Sequence, residues 1–209
     1  MKKLLAILLT AGIALGAAPL TFAADGTESG SQQTINGEST ADIEVNGTLG
    51  ADNTDPDAQI PEGDVKWINV TVPTKTIFYN TADDSAIKAP TYSIVNNSGR
   101  PVTVSANGFT GSSDQLPADF NLKLDVTGTA GNAATTASTN LITDGSLVQS
   151  LSSELITLAN SKNQMVATEQ AGTPENNKAT FTYSGTATAS EQKQLTYTLN
   201  LKFDAVKWN

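Results

Sequence analysis

The sequence predicts an all-β protein: a single β-sandwich, Ig-like or jelly-roll-like, with a flexible N-terminal arm and at most one short helix. Three observations lead there. Apolar and polar residues alternate over several short runs, which is the period of a strand with one buried face. Clusters of Gly, Pro, Asn and Ser, residues that reverse a chain, separate those runs. The sequence also lacks a convincing internal repeat and the strand–helix–strand alternation of a parallel sheet.

The chain opens with Met1-Lys2-Lys3, a positive n-region, followed by an apolar run from Leu4 to Leu20 and by Thr21-Phe22-Ala23. This is the pattern of a secretory leader cut after Ala23, and the run is short for a membrane anchor. The exported chain then has 186 of the 209 residues, enough for one domain with its own core plus an arm. Without Lys2 and Lys3 there are ten basic against 21 acidic side chains, a formal charge of −11. That balance argues against nucleic acid and anionic lipid as partners, since both reward clustered Lys and Arg. The expectation is a secreted protein, extracellular or attached to a cell wall, with no membrane insertion once the leader is removed.

Residues 24–64 read as the arm. Asp25 to Thr40 is polar and has little to bury. Ala41 to Leu49, "ADIEVNGTL", alternates like a strand, with Ile43, Val45 and Leu49 apolar. Asp52 to Asp64 holds five acids with Pro56 and Pro61 and reads as a linker.

The sandwich is expected over residues 65–209. "VKWINVTVP" places Ile68, Val70 and Val72 on one face of a strand that Pro73 stops, and "TIFY" continues it after a kink. "TYSIVNNSGRPVTVSANGF" reads as a hairpin about Asn96 to Pro101. "FNLKLDV" is the clearest strand, with Phe120, Leu122, Leu124 and Val126 inward. Gly128 to Asn140 is a long loop or weak strand. "SLVQSLSSELITLAN" reads as a short helix or turn, with Ser146 as its N-cap, leading into a strand. "MVAT" is a brief strand. "KATFTYSGTATA" and "QLTYTLNLKFDAVKW" form a closing hairpin, with Leu195, Tyr197, Leu199, Leu201 and Phe203 on one face.

Composition excludes much chemistry. With neither Cys nor His, the chain cannot build a Ser-His-Asp or Cys-His nucleophile system, or a Cys/His zinc or haem site. An exported domain without disulfides holds itself by burial and hydrogen bonding, and fits an organism that rarely uses disulfides, such as a Gram-positive bacterium. No catalytic residue, cofactor or metal ligand is expected. Asp52, Asp55, Asp57, Glu62 and Asp64 lack the order of an EF-hand loop. Asn46-Gly-Thr48, Asn69-Val-Thr71 and Asn96-Asn-Ser98 match the glycosylation sequon, a pattern that recurs by chance in Asn/Thr-rich strands. A Lys–Asn isopeptide staple needs a buried Lys beside an acid, and Lys123 and Lys202 fall on polar faces. Trp67 and Trp208 lie outside the apolar stripes, as packing residues or as a sugar-stacking surface. The candidate interaction residues are therefore Ile43, Val45, Leu49, Trp67 and Trp208.

"WINVTVPTKTIFYN", "PTYSIVNNSGRPVTVSANGF" and the closing "LKFDAVKWN" together resemble small secreted surface proteins of Gram-positive bacteria, similar in style to WxL-type cell-wall proteins. The resemblance runs from Val65 to Asn209. It implies a β-rich exported protein held non-covalently at the wall beside other surface proteins. This chain has no Trp-x-Leu motif and no LPxTG-type sorting signal. Two readings of Ala41 to Leu49 stand: the strand pairs with its own sandwich, or it completes a neighbour's sheet. The expected function is non-enzymatic, structural or adhesive, with other surface proteins or a second copy as partner. The alternative is a module that binds peptidoglycan or another glycan.

Overall fold

In the computed structural model the described residues are 51–111, 116–129, 136–170, 176–188 and 192–208. The expected leader, the strand over Ala41 to Leu49 and its Ile43, Val45 and Leu49 lie outside them. The described chain is an all-β, sandwich-like fold of two antiparallel sheets, with one 3-10 turn at Val65–Trp67 as its only helical element.

The strands are β1 (Val70–Thr71), β2 (Tyr79–Thr81), β3 (Asp84–Lys88), β4 (Tyr92–Asn96), β5 (Val102–Gly111), β6 (Asn121–Gly128), β7 (Thr136–Thr143), β8 (Ser146–Leu147), β9 (Ser153–Leu158), β10 (Lys178–Thr186) and β11 (Tyr197–Ala205). The larger sheet runs β1-β4-β10-β6-β7-β8, and β3, itself paired with β2, joins it at the far end of β10. The smaller sheet is β11-β5-β9. Every described pairing is antiparallel.

The core lies between the sheets and follows the alternation in the sequence. Leu122, Leu124 and Val126 of β6 are buried, as are Phe181 and Tyr183 of β10. Val104 and Ala106 of β5 and Leu155 and Leu158 of β9 face them from the smaller sheet. On the outer face of β6, Asp125 accepts hydrogen bonds from Ser138 on β7 and Ser184 on β10, tying three strands across the pleat. Leu199, Leu201 and Phe203 alternate with exposed Asn200, Lys202 and Asp204 along β11, matching the expected face.

Five expectations change. Residues 52–64 are not a flexible linker: Pro56 and Ile60 are buried and hydrogen-bonded turns dock the segment on the sandwich. Residues 65–67 are a 3-10 turn, initiated by Asp64 capping Lys66 N at 2.9 Å, so the strand here shrinks to Val70–Thr71. The run over 92–111 is not a hairpin, because β4 belongs to the larger sheet and β5 to the smaller. Nor do β10 and β11 form a hairpin, for the same reason. Turn residues specify that a chain reverses, not which sheet it reverses into. Finally, residues 165–168 are bends folded around Glu169, whose carboxylate accepts from Met165 N at 2.6 Å. Over 146–158 the outcome is the short strand β8, a turn and then β9, without a helix.

One position is reserved for glycine by the β6–β10 ladder. Gly185 has φ +137°, and a Cβ there would sit 1.9 Å from Asn121 O. Gly185→Ala should therefore lower unfolding stability by roughly 2 kcal/mol or more, as strained backbone positions do. Denaturant melts of this variant should move to a lower midpoint; an unchanged midpoint contradicts the packing described.

Candidate functional site

The residues that carry chemistry gather at one pole, where "NNSGRP" takes the chain from β4 to β5. Asn96 makes the crossing. Its Nδ2 donates to Arg100 O at 2.9 Å and Ala159 O at 2.7 Å, while its Oδ1 accepts from Ser98 N at 3.0 Å. One fully buried amide thus ties the end of β4, the start of β5 and the end of β9. Asn160 plays a similar part beside it, its Oδ1 accepting from Lys162 N and Gln164 N. Gly99 gives the backbone room: a Cβ would meet Asp55 O at 2.6 Å and the Trp67 ring at 2.8 Å.

Arg100 is the only arginine in the chain and is 7% exposed. Its guanidinium carbon lies 4.2 Å from the ring centre of Trp67 and 4.3 Å from that of Trp208. Both tryptophans of the chain therefore sandwich its single arginine, a cation held against two π faces. Nε donates to Glu62 Oε1 and Oε2 at 3.0 Å each, and Nη2 donates to Glu62 Oε1. Nη1 donates to Pro56 O at 2.7 Å and Gly99 O at 3.1 Å. Trp67 is fully buried and its Nε1 donates to Pro61 O at 3.1 Å. Glu62 Oε2 also accepts from Trp208 N at 3.1 Å, which fixes the chain beyond β11.

This explains the order of residues 52–64. The acids build turns: Asp52 accepts from Thr54 N and Oγ1, Asp55 from Asp57 N, and Asp64 from Lys66 N. Asn53 O accepts from Gly99 N at 2.6 Å, and Asn53 Oδ1 from Asn69 Nδ2 at 3.1 Å. The segment crosses the pole from Ser161, which donates to Thr54 O, to Trp208 at the end of β11.

Of the residues expected to mediate interaction, the structure brings Trp67 and Trp208 together on Arg100. Trp67 is closed to any ligand, and Trp208 is half-buried with its Nε1 meeting no acceptor among the described residues. The pair closes on Arg100 as a clamp. Sequence reasoning weighs Glu62 only as one of five acids tested against a calcium loop, and Arg100 only as part of a turn. The signal available was that Arg100, the sole arginine, sits in a Gly-bearing turn. The sequon at Asn96 is buried, and the Nδ2 of Asn69 is engaged with Asn53. Lys123 and Lys202 are exposed. Among the described residues no three acidic side chains converge as a metal-binding set.

No family model matches this chain. A search of curated proteins likewise finds no match. What the pole does is argued from its geometry alone: it holds. The guanidinium, the carboxylate and the buried indole N–H are committed to one another or to backbone carbonyls. Elsewhere, a shallow groove of about 440 Å³ runs between β7 and the turn before β9, lined by Ser138, Thr139, Asn140, Ser150 and Ser153.

The Arg100 hydrogen bonds hold the Glu62 carboxyl below its ordinary value of 4.5, with burial opposing and the Trp208 N–H assisting. A carboxyl lowered on folding contributes stability above the unfolded value and loses it as pH falls through the folded one. The melting temperatures of wild type and Glu62→Gln should therefore differ near neutral pH and converge as acidification carries the carboxyl below its ordinary value of 4.5 and through its lowered one; a constant gap rules this linkage out. Arg100→Lys loses the fork and the flat stack and should cost about 2 kcal/mol, on the scale of lost charge-assisted hydrogen bonds. Urea melts measure it.

Proposed function

We propose that this is a secreted, non-enzymatic bacterial surface protein with a structural or adhesive role, assembling through its N-terminal strand. The observation that carries the reading is the edge strand β11, nine residues long and paired among the described residues only with β5. Such an edge is a template for another strand unless it is covered or interrupted. Supporting it, the sequence carries an alternating apolar–polar run, Ala41 to Leu49, ahead of a segment clamped to the pole. The acidic composition keeps such a protein soluble outside the cell. Retention at a Gram-positive wall through contact with other surface proteins, and not with peptidoglycan itself, belongs to the same proposal.

A second reading, binding of peptidoglycan or another glycan, is favoured by the groove beside β7. Its hydroxyl and amide groups are uncharged and suit a neutral sugar. The readings separate in one experiment with two arms. Light scattering coupled to size exclusion on the exported protein should show mass rising with concentration, and purified peptidoglycan should leave it in the supernatant. A monomer at every concentration that sediments with peptidoglycan replaces the first reading with the second. Turnover in a broad hydrolase screen, abolished by one Asp or Glu substitution, overturns the non-enzymatic part.

A further inference from the structure

We infer that the outer edge of β11 accepts the strand Ala41 to Leu49 of a second copy of this chain, laid antiparallel with Glu44 opposite Lys202. This rests on the assembly reading above and adds the acceptor, the direction and the register.

Among the described residues the acceptor edge is unpaired. From Thr198 to Ala205 no described strand pairs with the outer side of β11. The strand holds no proline, and its one register irregularity places the extra residue, Asn107, on β5. Its edge is therefore free of proline and of an inserted residue, and the devices that blunt it are the exposed charges of Lys202 and Asp204. The opposite edge of the small sheet differs: β9 is shorter, and Ser153 is tied to Thr139 of β7 by a 3.0 Å hydroxyl contact. The apolar row beneath β11 is also incompletely covered. Leu199, Leu201 and Phe203 are half-buried, whereas Val102, Val104 and Ala106 on the neighbouring β5 are fully buried. A strand added outside β11 would cover that row with its own inward side chains.

The segment Ala41 to Leu49 matches in length and in pattern. It has nine residues, as β11 does, with Ile43, Val45 and Leu49 on one face and Asp42, Glu44, Asn46 and Thr48 on the other. Antiparallel and end to end, Ile43 lies opposite Phe203 and Val45 opposite Leu201, while Glu44 meets Lys202 on the outer face. Opposite charges directly across a ladder stabilise it. Asp42 then faces Asp204, and Lys202, already 2.8 Å from Asp204, lies beside both.

Direction decides whose strand it is. β11 ends at the pole, where Val206 N bonds Pro101 O and Trp208 N bonds Glu62. Asn53 is fixed at the same pole by Gly99 and Asn69. A strand of the same chain running antiparallel to β11 would finish with Leu49 at the far end, about 27 Å away for nine residues. The four Cα steps from Leu49 to Asn53 reach at most about 15 Å. Antiparallel addition therefore needs a second molecule. Parallel addition within one chain is within reach, but it sets Asn46 opposite Lys202, forfeits the charge pair and puts a parallel strand in an antiparallel sheet.

The absence of cysteine makes the register directly testable. Glu44→Cys and Lys202→Cys are made separately on the exported protein, one carrying a mass tag, then mixed and oxidised. The expected product is the mixed disulfide in excess over either symmetric one, and the chain carrying both changes gives linked species of two or more molecules. A disulfide closed within single molecules overturns the inference in favour of self-pairing, as does closure within a Glu44→Cys, Asn200→Cys chain, the parallel register. Concentration-dependent assembly of the unmodified protein without the mixed disulfide overturns this acceptor and register while leaving the assembly reading intact. An unmodified protein monomeric at every concentration removes both.

Discussion

A guanidinium held against two indoles fixes one end of this protein. Burying a cation is costly unless its hydrogen bonds and charge are answered inside. Here a carboxylate forks onto it, two carbonyls accept from it and two aromatic faces cover it. The consequences spread outward. Arg100 begins the crossing into the smaller sheet, Glu62 anchors the segment before β1, and Trp208 closes the chain after β11. Three regions distant in sequence share one charge pair, so removing either partner leaves the other uncompensated.

Around that pair the protein, which has no cysteine, uses amides to tie its segments together. Asn96 and Asn160 satisfy backbone groups left over where strands of both sheets end, and Asn69 joins Asn53 across the pole. Each amide offers donors and an acceptor in one plane, which suits a place where three chain segments meet at different angles. This is why the polar face of the fold is concentrated at the pole and the sandwich interior is almost wholly apolar.

The strands were legible and their partners were not. Phe120 to Val126 and Tyr197 to Phe203 announce themselves because alternation is a local property, written into neighbouring residues. Whether β4 pairs with β5 depends on groups 63 residues away, such as the Ala159 backbone carbonyl that accepts from Asn96. Residues 52–64 looked like a linker because their apolar content is low. They are ordered by Gly99, Arg100 and Trp208, none of which is near in sequence. Strand parity puts Trp67 off the apolar stripe, and parity does not apply in a 3-10 turn. Both tryptophans were legible as unusual, but the arginine that unites them was not, since a lone surface-type residue in a turn carries no periodic signal.

The clamp also sets how the domain bears tension. Ala51 and Trp208, the first and last described residues, belong to segments secured at the same pole, through Asn53 on one side and Glu62 on the other. A pull applied between the two ends therefore meets the clamp before it meets the sheets. Its bonds are loaded in sequence, as a seam is peeled, and not together, as they would be if the nine-residue ladder between β5 and β11 were sheared along its length.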